Sequence, residues 1–396
     1  MHQETLRHTA RPPLILIALT LGVLAPSLAA AQSPPEPAQA TVQSPDDLSE
    51  PPKERQPRGY FQVGAGYSSI TGFQGHASVG HDRLFGVRDL RLQLRAMIMP
   101  LHSEASILLE GPFGAQSDWL WHTQLYHLDS GLNNSLKLSQ TRTGGQLGIG
   151  KKLDRHWRVT VGGRAEAHTL NHGDVLLKNN GFSPLAQNPE RTLTSVWIQA
   201  EHRSDNNPSM VYTDLPTGLH LIARLEHASS SLGSDYAFTH ASMRGSYGVD
   251  LPLSMNFTVT GQAGAANINS ADQMPLMDRY RLGTVHAFGG LMMPALGPTI
   301  DGTNAPLGGS AGAYGRAELS VPIWRKIGLY AFGGLEAGAI GNDLGRLDTF
   351  DAGATTFAGL KWLSPIGPLT FAWGKEVSAI GDNSDPLFVF QIGQSF

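Results

Sequence analysis

The chain has 396 residues, room for about two or three ordinary domains, so length alone leaves the architecture open. Charged residues make up 16%, glycine reaches 46 residues and cysteine is absent. With a mean hydropathy of -0.16 the chain is too polar for a bundle of membrane helices, and no disulfide staples it. The 29 basic against 33 acidic side chains leave a net charge of -4, which offers no basic footprint for nucleic acid.

Residues 1–31 read as a signal peptide. Arg7 and Arg11 lead an apolar stretch from Leu14 to Leu28, and Ala29, Ala30 and Ala31 precede Gln32, which places cleavage after Ala31. The stretch is about 15 residues long, short of the roughly 20 that a spanning helix needs, and Pro26 interrupts it. An N-terminal membrane anchor is the lesser alternative. Residues 32–58 carry Pro34, Pro35, Pro37, Pro51 and Pro52 among small and charged side chains. Such a composition supplies no core and predicts a disordered periplasmic leader.

From Gly59 onward no helical period persists, and segments with a period of two recur to the end. Phe61, Val63, Ala65 and Tyr67 share one face of the first segment, opposite Tyr60, Gln62, Gly64 and Gly66. Trp157, Val159 and Val161 likewise oppose Arg158, Thr160, Arg164 and Glu166, and Phe388, Phe390, Ile392 and Phe396 oppose Gln391, Gly393 and Ser395. The pattern predicts strands near 59–69, 73–84, 90–99, 102–111, 118–128, 142–152, 155–170, 191–203, 216–227, 234–248, 253–266, 312–323, 326–340, 352–363, 366–375 and 385–396. One apolar face per strand and an even count predict an all-β fold, a transmembrane antiparallel β-barrel of 16 strands over residues 59–396, at about 21 residues per strand and connection. Fourteen strands is the alternative count.

Bacterial barrels alternate short periplasmic turns with longer external loops. Links after the fifth, seventh, ninth, eleventh, thirteenth and fifteenth segments read as long, and those at 153–154, 249–252, 324–325 and 364–365 as tight. The link after the third segment is short for an external loop, and 204–215 is long for a turn. A soluble β-sandwich or propeller is the competing architecture.

Two blocks resemble the BamA/TamA superfamily of outer-membrane assembly factors, the bacterial surface antigen family. Gly359-Leu360-Lys361-Trp362-Leu363-Ser364-Pro365-Ile366-Gly367-Pro368-Leu369 is similar to that family's penultimate hairpin, and Phe388, Phe390, Ile392 and Phe396 lie in a terminal strand like its last one. The second block is the connection 267–311, with Arg279, Tyr280 and Gly283, then Val285, His286, Ala287 and Phe288. The resemblance implies that this sixth external loop folds back into the lumen, where a Val-Arg-Gly-Phe motif contacts an acidic residue on a strand. Here His286 stands in the Arg position and Ala287 in the Gly position, and Glu336, within Gly334-Leu335-Glu336-Ala337-Gly338, takes the acidic place. His286 and Glu336 are therefore expected to pair, and such a contact would depend on histidine titration where an Arg pair would not. The alternative is a histidine that merely lines a wet lumen.

Arg316 and Glu318 share one face of the twelfth segment, as lumen partners of the loop or as members of a charge network that hydrates the lumen. Met274, Met277, Met292 and Met293 are expected to fill gaps where the loop packs. Gly308-Gly309-Ser310-Ala311-Gly312 matches the serine-hydrolase G-x-S-x-G pattern but leads into a strand where that motif needs a helix. His122 and His127 would face opposite ways on a strand, and His168 and His172 would stand about 13 Å apart, so neither metal nor cofactor is expected. The resemblance implies a protein of the bacterial outer membrane that aids insertion or export of polypeptides. Its partners would be membrane lipid, client polypeptides or a separate periplasmic protein. A passive channel or structural barrel and a lipolytic barrel are the alternatives.

Overall fold

The computed structural model describes residues 59–69, 72–81, 84–86, 90–100, 102–114, 117–133, 138–171, 189–204, 217–268, 273–282, 297–298, 308–342, 346, 349–364, 367–377 and 386–392. The strands are β1 (Gly59–Ser68), β2 (Gly72–His81), β3 (Arg91–Met99), β4 (His102–Pro112), β5 (Trp119–Asn133), β6 (Leu138–Lys152), β7 (Trp157–Asn171) and β8 (Glu190–Arg203). They continue as β9 (Gly218–Ala228), β10 (Phe238–Leu251), β11 (Met255–Asn267), β12 (Ala311–Trp324), β13 (Leu329–Gly341), β14 (Asp351–Ser364), β15 (Gly367–Glu376) and β16 (Leu387–Ile392). Each strand pairs antiparallel with its sequence neighbours and β1 pairs with β16, so the sheet closes on itself and leaves no free edge. This is the expected all-β, 16-stranded antiparallel barrel.

Alternation decides what each face carries. Phe61 is 70% exposed and Val63 55%, while between them Gln62 turns inward to accept a hydrogen bond from Ser78 of β2. The exposed side chains along the strands include many large apolar ones, as hydrocarbon requires, and the buried ones include Ser106, Gln140, Glu166 and Ser320. Trp119, Trp157, Trp324 and Trp362 all point outward at the rim from which β1 starts. Such a belt of amphipathic rings suits a membrane–water boundary, and Trp362 also donates its indole N–H to the carbonyl of Ile327, 2.8 Å away.

The β5–β6 hairpin runs further than the sequence pattern predicts, to Asn133 and back from Leu138, so the fifth link shrinks to 134–137. In its upper part the outward pairs are polar: His127 Nδ1 lies 2.7 Å from Thr143 Oγ1, and Thr141 donates to Asp129 at 3.3 Å. With no apolar face, the alternation signal is absent there although the ladder continues. The long links 172–189, 204–217 and 268–310 fall where the sequence reading puts them, and 100–101 is short as noted.

Candidate functional site

The site is built where the β11–β12 connection meets the inner face of the wall. In that connection the described stretch 273–282 includes the 3-10 turn Leu276–Asp278, entered through Pro275, whose φ of -52° suits it. Beyond the turn, Tyr280 and Gly309 exchange two backbone hydrogen bonds of 2.9 Å, joining the outgoing and returning arms. Met274 packs with Leu193 of β8, Ala228 of β9, Phe238 of β10 and Tyr236 in the link just before β10, while Tyr280 and Leu282 pack with Tyr314 and Ile340 of β12 and β13.

The wall is shaped to receive these side chains. A β-carbon on Gly264 of β11 would stand 1.9 Å from the Tyr280 hydroxyl oxygen, and one on Gly338 of β13 would stand 2.5 Å from Leu282 Cδ1. The Tyr280 hydroxyl also hydrogen-bonds His240. Gly264→Val is therefore expected to expel Tyr280 and increase protease cleavage within 273–282 on intact cells, with some strain on the β10–β11 ladder because the same β-carbon would stand 2.7 Å from the Ala241 carbonyl oxygen. Unchanged cleavage would show that the tyrosine contact does not hold the connection.

Asp278 shares its carboxylate between two guanidinium groups: Arg142 Nη2 of β6 lies 2.6 Å from Oδ1 and Arg164 Nη2 of β7 lies 2.9 Å from Oδ2. One residue earlier, the Met277 N–H donates to Gln140 Oε1 at 3.1 Å. Arg164 Nε reaches Glu166 at 2.6 Å and its Nη1 reaches Glu226 of β9 at 3.1 Å; Arg142 Nε stands 3.4 Å from Glu166. The Tyr126 hydroxyl donates to Glu166, and His168 Nε2 lies 2.6 Å from it. Ser195 and Arg224 complete the surroundings of Glu226 at 2.5 and 2.9 Å. Of the carboxylates in this cluster, Glu166 and Glu226 belong to the wall and Asp278 to the connection; Arg142, Arg164 and Arg224 are all on the wall.

Burial by itself would raise the Asp278 carboxyl, but Arg142 and Arg164 outweigh that, and neighbouring Glu166 only partly offsets them; the net shift is well below the ordinary 3.8. A carboxyl depressed in the folded protein contributes stability above its unfolded value and loses it only as pH falls through the lower folded value. The connection is therefore expected to stay seated from pH 7 to about 4. Protease accessibility of 273–282 should match at both ends of that range, and release near pH 5 would contradict the pairing.

The sequence-predicted residues separate into groups. Arg279 is buried and donates to the Gly308 carbonyl at 3.3 Å. Gly283, Val285, His286 and Phe288 lie outside the described residues, and the expected His286–Glu336 pair with them; so do His172, Met292 and Met293. Glu336, fully buried on β13, accepts from the Tyr314 hydroxyl at 2.8 Å and faces Arg316 at 3.5 Å. Arg316 and Lys361 both reach Glu318 at 2.7 Å, and the Arg316 guanidinium stacks 4.0 Å from the Phe357 ring centre. Phe390 and Phe388 pack at a tilt against Phe371 and Trp373 of β15 with ring centres 4.6 and 5.9 Å apart, and Ile392 pairs with Ala65; Phe396 lies outside the described residues.

Met274 and Met277 are buried. The Ser310 hydroxyl, 2% exposed, donates to the Asn342 carbonyl at 2.7 Å and its chain runs straight into β12, the geometry of a structural serine. Among the described residues no group of three or more His, Cys, Asp or Glu could hold a metal ion. Sequence reasoning missed Asp278 and its two arginines as a unit. The available signal was the clustering of ionisable residues at inward strand positions, 142, 164, 166 and 226, which need partners where a connection buries them.

The sequence model of the Omp85 superfamily domain matches residues 103–396. The fold is similar to that of BamA from Haemophilus ducreyi lacking POTRA domains 1-3, at 18% identity and a TM-score of 0.63, over 86% of this chain and 70% of that one. It is also similar to CdiB from Acinetobacter baumannii and CdiB from Escherichia coli, each at 14% identity and a TM-score of 0.53. These matches cover 85% and 84% of this chain but only 60% and 63% of the CdiB chains.

Proposed function

Because the chain belongs to the Omp85 superfamily of outer-membrane barrels, we propose that it aids insertion or export of polypeptides at the outer membrane, through a seam between β1 and β16 that can part. The observation that carries this reading is the seam's composition. β1 pairs with β2 along its whole length, Gly59–Ser68 against Gly72–His81. Among the described residues its pairing with β16 runs only from Ala65–Ser68 to Val389–Ile392, extended by Ser69 N donating to the Phe388 carbonyl and Phe388 N to Ser69 Oγ at 2.9 and 3.0 Å. Gly66 lies so close to β16 that a β-carbon there would stand 2.9 Å from the Phe390 carbonyl oxygen. The seam therefore lacks a side-chain pair at that step, and cross-strand pairs are what stabilise a ladder beyond its backbone bonds.

On this reading residues 1–31 direct export and residues 32–58 form a leader ahead of the barrel. The partners are membrane lipid outside and a client polypeptide at the seam and lumen. Deleting the gene in its own host and quantifying the outer-membrane proteome tests it. Loss of many barrels, or of one surface protein, is expected; an unchanged proteome would move the assignment to a passive channel or structural barrel.

A further inference from the structure

The Asp278 contact has the parts of a receptor for an acidic residue within a peptide. Two guanidinium groups take one carboxylate oxygen each, at 2.6 and 2.9 Å. Gln140, two positions from Arg142 on the same inward face of β6, accepts the peptide N–H of the preceding residue at 3.1 Å. Together they read a side-chain charge and the main chain beside it, which a small free anion would not satisfy.

The receptor's own supports come from the wall. Glu166 holds both arginines, Glu226 holds Arg164, and the His168 ring nitrogen Nδ1, 3.0 Å from Gln140 Nε2, orients the amide. Groups fixed in this way keep their geometry when the occupant leaves. The wall also carries one guanidinium more than it has carboxylates, because Arg142, Arg164 and Arg224 face only Glu166 and Glu226 once Asp278 is withdrawn. Vacating the site would leave a guanidinium among wall groups without its matching carboxylate, an unfavourable state. Exchange for another carboxylate avoids it, so an entrant that brings one shifts the equilibrium toward the displaced connection.

We propose that Arg142, Arg164 and Gln140 form a lumenal receptor for an acidic residue of an extended peptide, which Asp278 fills at rest and an entering acidic segment takes over. This deepens the polypeptide-handling function proposed above and rests on it for the claim that peptides reach the lumen. The residues that respond are on the opposite side of the barrel from Glu336, and the charge order is reversed: the acid is on the connection and the cations are on the strands.

The test uses the full-length barrel in planar bilayers with a short synthetic peptide of alternating serine and aspartate, and its serine–asparagine counterpart. Asp278→Asn should raise the ion current severalfold over the unsubstituted barrel. On that variant the aspartate peptide should block at about tenfold lower concentration than the asparagine peptide, the discrimination expected of a charge-assisted pair. Arg142→Gln combined with Arg164→Gln should erase the preference. Equal block by the two peptides, or an unchanged current, would overturn the proposal.

Should Asp278→Asn not assemble, Met277→Cys gives the same answer in a chain that has no other cysteine. Its maleimide labelling should rise with the aspartate peptide and stay constant with the other, and no difference between them overturns the receptor. The two readings fail separately. An unchanged proteome on gene deletion sinks the assembly role and leaves the peptide preference measurable. Indifference to the peptide charge, in a barrel whose deletion depletes other outer-membrane proteins, sinks the receptor alone.

Discussion

Cysteines placed at Tyr67 and Phe390 and then oxidised should reduce the activity to that of a gene deletion, and reductant should restore it. The two residues are direct partners across the β1–β16 seam. Opposed residues hold their β-carbons about 4.5–5.5 Å apart, close enough to bridge with a small adjustment. The chain has no native cysteine, so oxidation can form no other intramolecular bridge. A bridge at Ala317 and Leu335, partners in the interior of the β12–β13 ladder, controls for oxidation itself and should leave activity intact. Outer-membrane levels of the client proteins provide the readout. Full activity with the seam closed would exclude strand parting and leave the lumen as the only route.

The barrel was legible because lipid enforces a rule that sequence displays: every outward position must be apolar, so strands such as β1 and β7 announce their period. The same rule explains where legibility ended. At Asp129, Thr141 and Thr143 the outward residues are polar, the hairpin continues without an apolar face, and the predicted strand ends fell short. The inner face obeys no comparable rule, since a lumen accepts any polar residue.

Arg164 and Glu166 were visible as a polar face, but their partner Asp278 lies more than a hundred positions away, at |i−j| of 114 from Arg164. Nothing in periodicity links them; only closure of the barrel does. The resemblance drew attention to His286 and Glu336; His286 lies outside the described residues, and Glu336 meets Tyr314 and Arg316 on the adjacent strand. A family motif points to the residue positions that matter in relatives. It carries no information about an interaction made by different residues on another part of the wall.

Arg164→Met should destabilise the folded barrel by about 3–5 kcal/mol, the range for removing one partner of a buried ion pair. Arg164 has three nitrogens on three carboxylates, Nε on Glu166, Nη1 on Glu226 and Nη2 on Asp278, and its side chain is 9% exposed. Without it, Arg142 and Arg224 face three carboxylates, and one negative charge is left buried. Arg164→Lys should recover only part of the loss, since a single ammonium cannot reproduce a planar fork across three acceptors. Adding Glu226→Gln to Arg164→Met should recover more than the lysine does, because it removes one charge of each sign and leaves an amide oxygen for Ser195. Reversible urea unfolding in lipid vesicles, followed by tryptophan fluorescence, gives the order of the three variants. A loss below about 1 kcal/mol for Arg164→Met would place the cluster in the regime of solvent-screened surface pairs. The lumen would then be wet enough at this depth for the charges to be independent, and Asp278 would hold the connection through its packing neighbours rather than through the two arginines.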